Sequence, residues 1–448
     1  MRDTPPPDTT TAETRAAPGA WVALGALLVI FLVNFMDRQL FAVLQEQIKA
    51  DLGLSDSQLA LLGGTMFALF YATLGLPIAW LADRTNRVRL IAIACVVWSL
   101  FTALSGAAMN FATMALARIG VATGEAGGVS PSYSVISDYF PAGRRGFAIG
   151  VFSVGAPLGL MAGSYLGAML AEALGWRWTF VLLGLPGVLL GLALWLMVKE
   201  PPRGRFEARP AGPPSRPLEA FEVMLASPSV ILLALGAAAT SFSGYALYQW
   251  MPSFLQRAQG LELEAVRQFL SPIFALGVFG AFAGGWLADR IGKTRPAAYA
   301  LVPAATLVIA APFFFAAVLA RDGTASLWLL TLPTLLSYAW IGPTLAAGQT
   351  LVRPEVRASI AAIMAFFNNL IGFGLGPLLV GAISDMRQAA GADPGEALRA
   401  GLLAGAGGYV PAIGFFVAAG FFIKRDLARR DREAQTGAPT GTPAGPSA

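Results

Sequence analysis

Residues 21–44 read WVALGALLVIFLVNFMDRQLFAVL, an apolar stretch with Asp37 and Arg38 side by side near its middle. An α-helix needs about 20 apolar residues to cross the ~30 Å hydrocarbon core of a bilayer. Hydrocarbon supplies no water to backbone N–H and C=O groups, so a crossing chain must form helices or a closed barrel. Windows of this kind recur along the 448 residues, of which 56% are hydrophobic and 13% charged. Soluble domains carry roughly a quarter charged residues. The runs are long, rich in Leu, Ala and Gly, and free of strand-type alternation. They predict an all-α membrane protein rather than a barrel.

Composition narrows the chemistry. There is no histidine, so any side chain that carries a proton near neutral pH must be a carboxylate. The single cysteine, Cys95, lies in an apolar run, which excludes an internal disulfide and a thiolate metal site. No cofactor is expected. No HExxH, GxSxG or GxxxxGK[ST] pattern occurs, which argues against a membrane enzyme or an ATP-driven pump. The formal charge of +5 reads as orientation signal, not nucleic-acid binding. Residues 1–18 do not resemble a signal peptide, since the apolar run that follows is too long and lacks a small-residue cleavage site.

Twelve transmembrane helices are predicted, at 20–45, 57–82, 88–108, 111–140, 145–171, 176–198, 228–256, 265–288, 296–319, 326–350, 357–386 and 398–423. They divide into two pseudo-symmetric six-helix bundles, 19–198 and 228–424. A linker rich in proline and charge, 199–227, joins them. The ends, 1–18 and 425–448, are expected to be disordered. With both termini on one side, that side holds 22 of the 31 Lys and Arg residues and the opposite loops hold 7, with Arg38 and Arg118 inside spans. This imbalance places both termini in the cytoplasm of a multi-pass protein of the cell membrane.

After the second predicted helix comes AWLADRTNR (79–87), and after the eighth GWLADRIGK (285–293). Parallel repeats of this kind mark the major facilitator architecture. Asp83, Arg84, Arg87, Asp289 and Arg290 are therefore expected to form a gating motif, pairing across the halves or meeting anionic lipid. The fifth helix carries GVFSVGAPLGLMAG (150–163), whose glycines allow close contact and whose Pro157 introduces a bend.

Charges at depth locate the candidate site. Arg118 and Glu125 are seven apart on the fourth helix and so share one face. Charges at mid-bilayer cost at least ~2.5 kcal/mol each, so these groups and Asp37 and Arg38 should face one another or a wet cavity. Taking the first helix to end at 45, Asp37, Arg38 and Arg118 lie at similar depth, with Glu125 closer to the termini. Asp37 then pairs with Arg118, or alternatively with Arg38. Glu125, with no arginine one turn away, is the expected proton carrier. The second half has no charge deep in its helices and offers Tyr245, Tyr248, Gln249, Asn368 and Asn369, while the second helix adds Phe67, Phe70 and Tyr71. One charged wall and one aromatic or amide wall suit an amphipathic solute. Glu125 and Asp37 are the expected proton-coupling residues. Arg38, Arg118, Tyr245, Gln249, Asn368, Phe67 and Tyr71 are the expected substrate-binding ones.

The segments NFMDRQLFAVLQEQIKADLGLSDSQLALLGGTMFALFYA (34–72), LADRTNR (81–87) and ARIGVATGEAGGVSPSYSVISDYFPAGRRG (117–146) resemble the spinster-like branch of the major facilitator superfamily. The resemblance implies alternating access by two six-helix bundles, often coupled to protons. It also implies a lipid-like substrate such as a lysophospholipid or a sphingoid base, with Asp37, Glu125 and Arg118 as coupling residues and Arg38 beside them. An organic-anion symporter or a multidrug exporter is the alternative. The expected partners are protons, a small amphipathic substrate and membrane lipids, and the chain is expected to be a monomer. One departure stands inside the repeat, Asn86 against Gly292, so the gate need not be symmetric.

Overall fold

The structure, a computed structural model, describes residues 16–206, 217–352 and 356–436. Ten continuous helical segments are long and apolar enough to cross a membrane. One of them, Gly143–Met197, is two spans, because Gly175 takes φ 78° and ψ 166° between them, a conformation open to glycine alone. The fourth span is absent from the ten because it is two shorter helices, Phe111–Glu125 and Val129–Tyr139. The described residues thus form the twelve expected spans. The first three are Ala20–Leu52, Asp56–Ala82 and Arg87–Ser105. The second half runs through Pro228–Arg257, Leu263–Gly292, Ala298–Leu319, Gly323–Thr350, Ser359–Ala389 and Pro394–Arg432.

Proline explains the main interruptions. Its ring clashes with the carbonyl four residues back and its missing N–H removes a helical hydrogen bond. Pro131 follows the break at 126–128, Pro157 the turn at Val154, and Pro343 the break at 337–340. Pro131 and Pro343 are each twenty residues beyond the start of their spans, Phe111 and Gly323, so the fourth and tenth spans are kinked in register. The second and eighth spans likewise share a π-helical turn, Leu61–Thr65 and Val266–Leu270. A third π segment, Asn368–Leu375, lies in the eleventh span.

Several expected boundaries need correction. The first helix continues past 45 to Leu52, because Gln45, Glu46 and Lys49 are ordered by partners from other spans. The last helix, Tyr409–Thr436, extends through 425–436, which were expected to be disordered. Asp426 fastens it by accepting from Ser227 Oγ and Ser229 N–H, both at 2.9 Å. The linker holds a helix, Pro217–Ala226. Ala17 of the expected disordered N-terminus donates its N–H to the Tyr139 carbonyl at 2.9 Å. The expectations for 1–15, 207–216, 353–355 and 437–448 fall outside the described residues.

The two halves meet at the end of the bundle opposite the termini. Gly63 and Gly64 let the second span approach closely: a Cβ on Gly64 would come within 2.8 Å of the Phe373 carbonyl oxygen. Thr65 Oγ1 donates to the Gly374 carbonyl at 2.6 Å, and the rings of Phe67 and Phe373 meet edge to face at 5.2 Å. Farther toward the termini, Phe70 and Tyr71 on one side and Tyr245, Asn368 and Asn369 on the other are only half-buried.

Candidate functional site

The deep charges of the first half are brought together, but with a different partnership from the one expected. Arg38 Nε donates to Glu125 Oε2 at 2.7 Å. Asp37 is not ion-paired to Arg118. It accepts from Thr102 Oγ1 at 3.0 Å, and its Oδ1 has no partner. The longer first helix gives the reason. Measured back from Leu52 rather than 45, Asp37 lies ~22 Å from the far end, and Glu125 lies ~21 Å from Phe111 on the neighbouring span. Asp37, Arg38 and Glu125 are therefore level, and Arg118 is two turns away. Glu125, expected to lack an arginine, is the carboxylate that has one.

Arg118 is 1% exposed, and its Nε and Nη1 have no hydrogen-bond partner. Its guanidinium lies 5.1 Å from the ring centroid of Phe41 and 5.6 Å from that of Phe67. Phe67 also flanks Arg38, at 4.8 Å, together with Phe35, Tyr71 and Phe373 at 5.1, 5.1 and 5.8 Å. One aromatic ring thus stands between two guanidinium groups. Electron-rich ring faces offset part of the cost of burying them. The charges balance, two carboxylates against two arginines. Asp37 and Glu125 are fully buried and Arg38 is 7% exposed, so in this conformation Arg38 is nearest to an opening.

The other expected binding residues separate into two groups. Phe67, Tyr71 and Tyr245 surround the Arg38 side of the site, and Asn368 lies in the opposite half beside Ser241. Tyr245 packs on Phe373 at 4.7 Å, and Asn368 Oδ1 accepts from Ser241 Oγ at 2.5 Å. Gln249 instead belongs to the closed end. It is 2% exposed, its Nε2 donates to the Leu59 carbonyl at 3.1 Å, and its own carbonyl accepts from Gln45 Nε2 at 3.0 Å.

That closed end is a network the sequence reading missed. Asp56 is fully buried and accepts from Lys49 Nζ at 2.6 Å, Arg257 Nη1 at 2.8 Å, Ser384 Oγ at 2.6 Å and Gln388 Nε2 at 2.8 Å. Arg257 also binds Glu46 through two N–H groups at 2.7 Å. The Asp385 carboxylate accepts from the N–H groups of Asp56 and Ser57 at 2.9 and 2.7 Å, where the second span presents its unsatisfied donors. The signal available beforehand was the Ser55…Gln58 capping box, which marks this helix start.

At the end carrying the termini, the repeated motif makes no pair across the halves among the described residues. Arg84 folds over Trp80 at 3.8 Å, Arg290 over Trp286 at 5.5 Å, and Asp289 accepts from Tyr299 OH at 2.9 Å. Asp83, at the end of the second span, is exposed. Only Arg87 is buried. It donates to Asp138 at 2.5 Å, Glu200 at 2.7 Å, Ser134 Oγ at 2.7 Å and the Pro201 carbonyl at 3.1 Å.

Comparison with known proteins places this arrangement. Residues 27–377 match the Major Facilitator Superfamily. The chain is 30% identical over 432 residues to protein spinster homolog 1 of Xenopus tropicalis, covering 90% of this chain and 81% of that one. A crystal structure of a bacterial homolog to the human lysosomal transporter Spinster, inward-facing and unoccupied, superposes with a TM-score of 0.81 at 33% identity. It covers 92% of this chain and 99% of its own. The chain belongs to the spinster-like branch of the Major Facilitator Superfamily. A crystal structure of a bacterial homolog to the human lysosomal transporter Spinster in an inward-facing, occupied conformation gives a TM-score of 0.79 at 31% identity, covering 92% of this chain and 99% of its own. A protein named MFS-type efflux pump from Mycolicibacterium smegmatis is 32% identical over 381 residues, covering 84% of this chain and 87% of its own. This spinster-like protein is accordingly a multi-pass membrane transporter and not an enzyme.

Proposed function

We propose that this spinster-like transporter moves an amphipathic, anionic or zwitterionic lipid-like solute by alternating access coupled to protons. It does so in the cell membrane with both termini in the cytoplasm. The observation that carries the reading is Arg118, a fully buried guanidinium with two of its nitrogens unpartnered and aromatic rings beside it. Such a group in hydrocarbon calls for an anion. A head group would take these donors, and its apolar part would lie along Phe67, Tyr71, Tyr245 and Asn368. Arg38 would become available when Glu125 takes up a proton and releases it, with Asp37 as the second coupling carboxylate. Gln249 would contribute through the seal it joins.

In that orientation the seal around Asp56 closes the outer side and the conformation is inward-facing. Asp83, Arg84, Arg87, Asp289 and Arg290 would close the inner side in the opposite state, when the halves rock together. Protons, the solute and surrounding lipid are the proposed partners of a monomer. An organic-anion symporter or a multidrug exporter is the second reading, favoured by the name of the Mycolicibacterium smegmatis relative. Counterflow in proteoliposomes separates them, using labelled lysophosphatidic acid against labelled citrate, with and without a pH gradient. Uphill accumulation of the lysolipid driven by the gradient is expected. Accumulation of citrate alone, or of neither in response to the gradient, would overturn the reading.

A further inference from the structure

The polar groups in the carboxylate site extend one turn beyond the ion pair. Asn34 is 2% exposed, and neither its Nδ2 nor its Oδ1 has a partner. Trp98 is fully buried, and its indole Nε1–H is unpartnered too. Both line a small cavity of about 10 Å³ between the first, third, fourth and fifth spans, whose other lining, Ser132 apart, is apolar. Ser132 Oγ is committed to the Gly128 carbonyl at 2.7 Å. Leaving such groups buried without partners is costly. A polar space needs about 10–15 Å³ and two to four polar partners to hold a water molecule, and this cavity supplies three partner atoms.

Glu125 does not itself line the cavity; Asn34 and Trp98, which do, stand between the two. Trp98 runs along the fourth span, its backbone against Gly124 and its ring edge against Gly128, one residue before and three after Glu125. The Asn34 amide comes close to the Glu125 carboxyl without completing a hydrogen bond, and Glu125 Oε1 is unpartnered. Oε2 is occupied by Arg38.

We propose that this cavity is a water site held by Asn34 and Trp98, and that its water delivers protons to the free Oε1 of Glu125. The water accepts from the indole N–H and the Asn34 N–H, and it reaches Oε1 past the Asn34 amide when that side chain swings aside. A proton arriving as hydronium from bulk water passes to Oε1: one hydronium O–H breaks, a carboxyl O–H forms, and neutral water stays behind. Asn34 and Trp98 are positioning residues. The other ionisable groups whose charges reach Glu125 are Asp37 and Arg38 on the first span, Arg118 on its own span, Tyr71 on the second and Tyr248 on the seventh. None of them lines the cavity.

The inference rests on the proton-coupled reading, and infrared spectroscopy tests the two apart. In the full-length protein in nanodiscs, the protonated-carboxyl band that disappears in Glu125→Gln is followed during H₂O-to-D₂O exchange. Asn34→Leu fills the polar space, and Trp98→Phe keeps the ring while removing the N–H. In both variants the band should persist and its deuteration should slow on the order of tenfold, the equivalent of one lost hydrogen bond. Wild-type exchange rates in both variants would overturn the water site while leaving proton uptake by Glu125 standing. If wild-type protein shows no band that Glu125→Gln removes at any pH, the proton reading itself fails and the water site fails with it.

Discussion

The fourth and tenth spans share a backbone and differ in chemistry. Both break one turn before a proline that lies twenty residues from the start of its span, Pro131 and Pro343. At the positions where the fourth span carries Arg118 and Glu125, seven and fourteen residues in, the tenth carries Leu330 and Ser337. Leu330 is 3% exposed, and Ser337 Oγ donates to the Thr334 carbonyl at 2.6 Å. The kink is thus a property of the duplicated scaffold, whereas the ionisable groups belong to one copy. Under the proposed function, moving parts and coupling chemistry are separable in this fold, with one half carrying the deep charges and the other supplying a surface for them to work against.

Giving the fourth span the character of the tenth tests this division. Glu125→Gln should have the largest effect, abolishing accumulation against a gradient while exchange across the membrane continues. Persistent uphill uptake in that variant removes Glu125 from coupling. Arg118→Leu copies Leu330 and removes two unpartnered donor nitrogens. Charged hydrogen bonds contribute about 1.5–3 kcal/mol each, so lysophosphatidic acid should bind roughly a hundredfold more weakly. Binding within a few fold of wild type, measured by scintillation proximity on the purified protein, would show that Arg118 meets no head group.

The comparison also explains what the sequence disclosed. The span count, the two halves and the four deep charges were legible, because hydrophobic run length and the rarity of intramembrane charge are strong signals. The pairing of those charges was not. Gln45, Glu46 and Lys49 look like loop residues in one dimension, and only their partners Ser253, Arg257 and Asp56 show that the helix continues through them. Seven extra residues shift Asp37 by about 10 Å in depth, enough to exchange Arg118 for Arg38 as the arginine that pairs with a carboxylate. The Asp56 network was hidden for the same reason, since its members come from the first, second, seventh and eleventh spans and no spacing rule connects them.

Asp56 offers the next test, of whether the closed end holds by charge or by packing. Asp56→Ala strands Arg257 and Lys49 and frees Ser384 and Gln388, and breaking a buried ion pair typically costs about 3–5 kcal/mol. Spin labels at Ala50→Cys and Ala389→Cys, in a Cys95→Ser background, should report a wider separation across this end in Asp56→Ala. An unchanged distance distribution would mean that the Gly63, Gly64 and Phe67–Phe373 contacts alone keep the halves together.

The smallest expected effects come from the repeated motif, and they set its two copies against each other. Arg87 and Lys293 occupy the same place in AWLADRTNR and GWLADRIGK. Arg87 is 2% exposed and binds Asp138 and Glu200, while Gly204 N–H donates to the other Asp138 oxygen at 2.9 Å and Glu200 accepts from the Val88 N–H at 3.0 Å. These contacts tie the start of the linker to the first half. Lys293 is exposed, and Gly292 stands where the first copy has the capping Asn86. Arg87→Ala should therefore lower stability by about 3 kcal/mol, as expected when a buried carboxylate loses its partner. Lys293→Ala should stay within about 0.5 kcal/mol, as exposed substitutions do. Thermal melts of the two variants in the same detergent decide the matter. Equal shifts would mean that the copies are equivalent and that the burial of Arg87 contributes nothing. A large loss for Arg87→Ala alone would assign the first copy to anchoring the linker and leave the second free to form and break its contacts as the halves move.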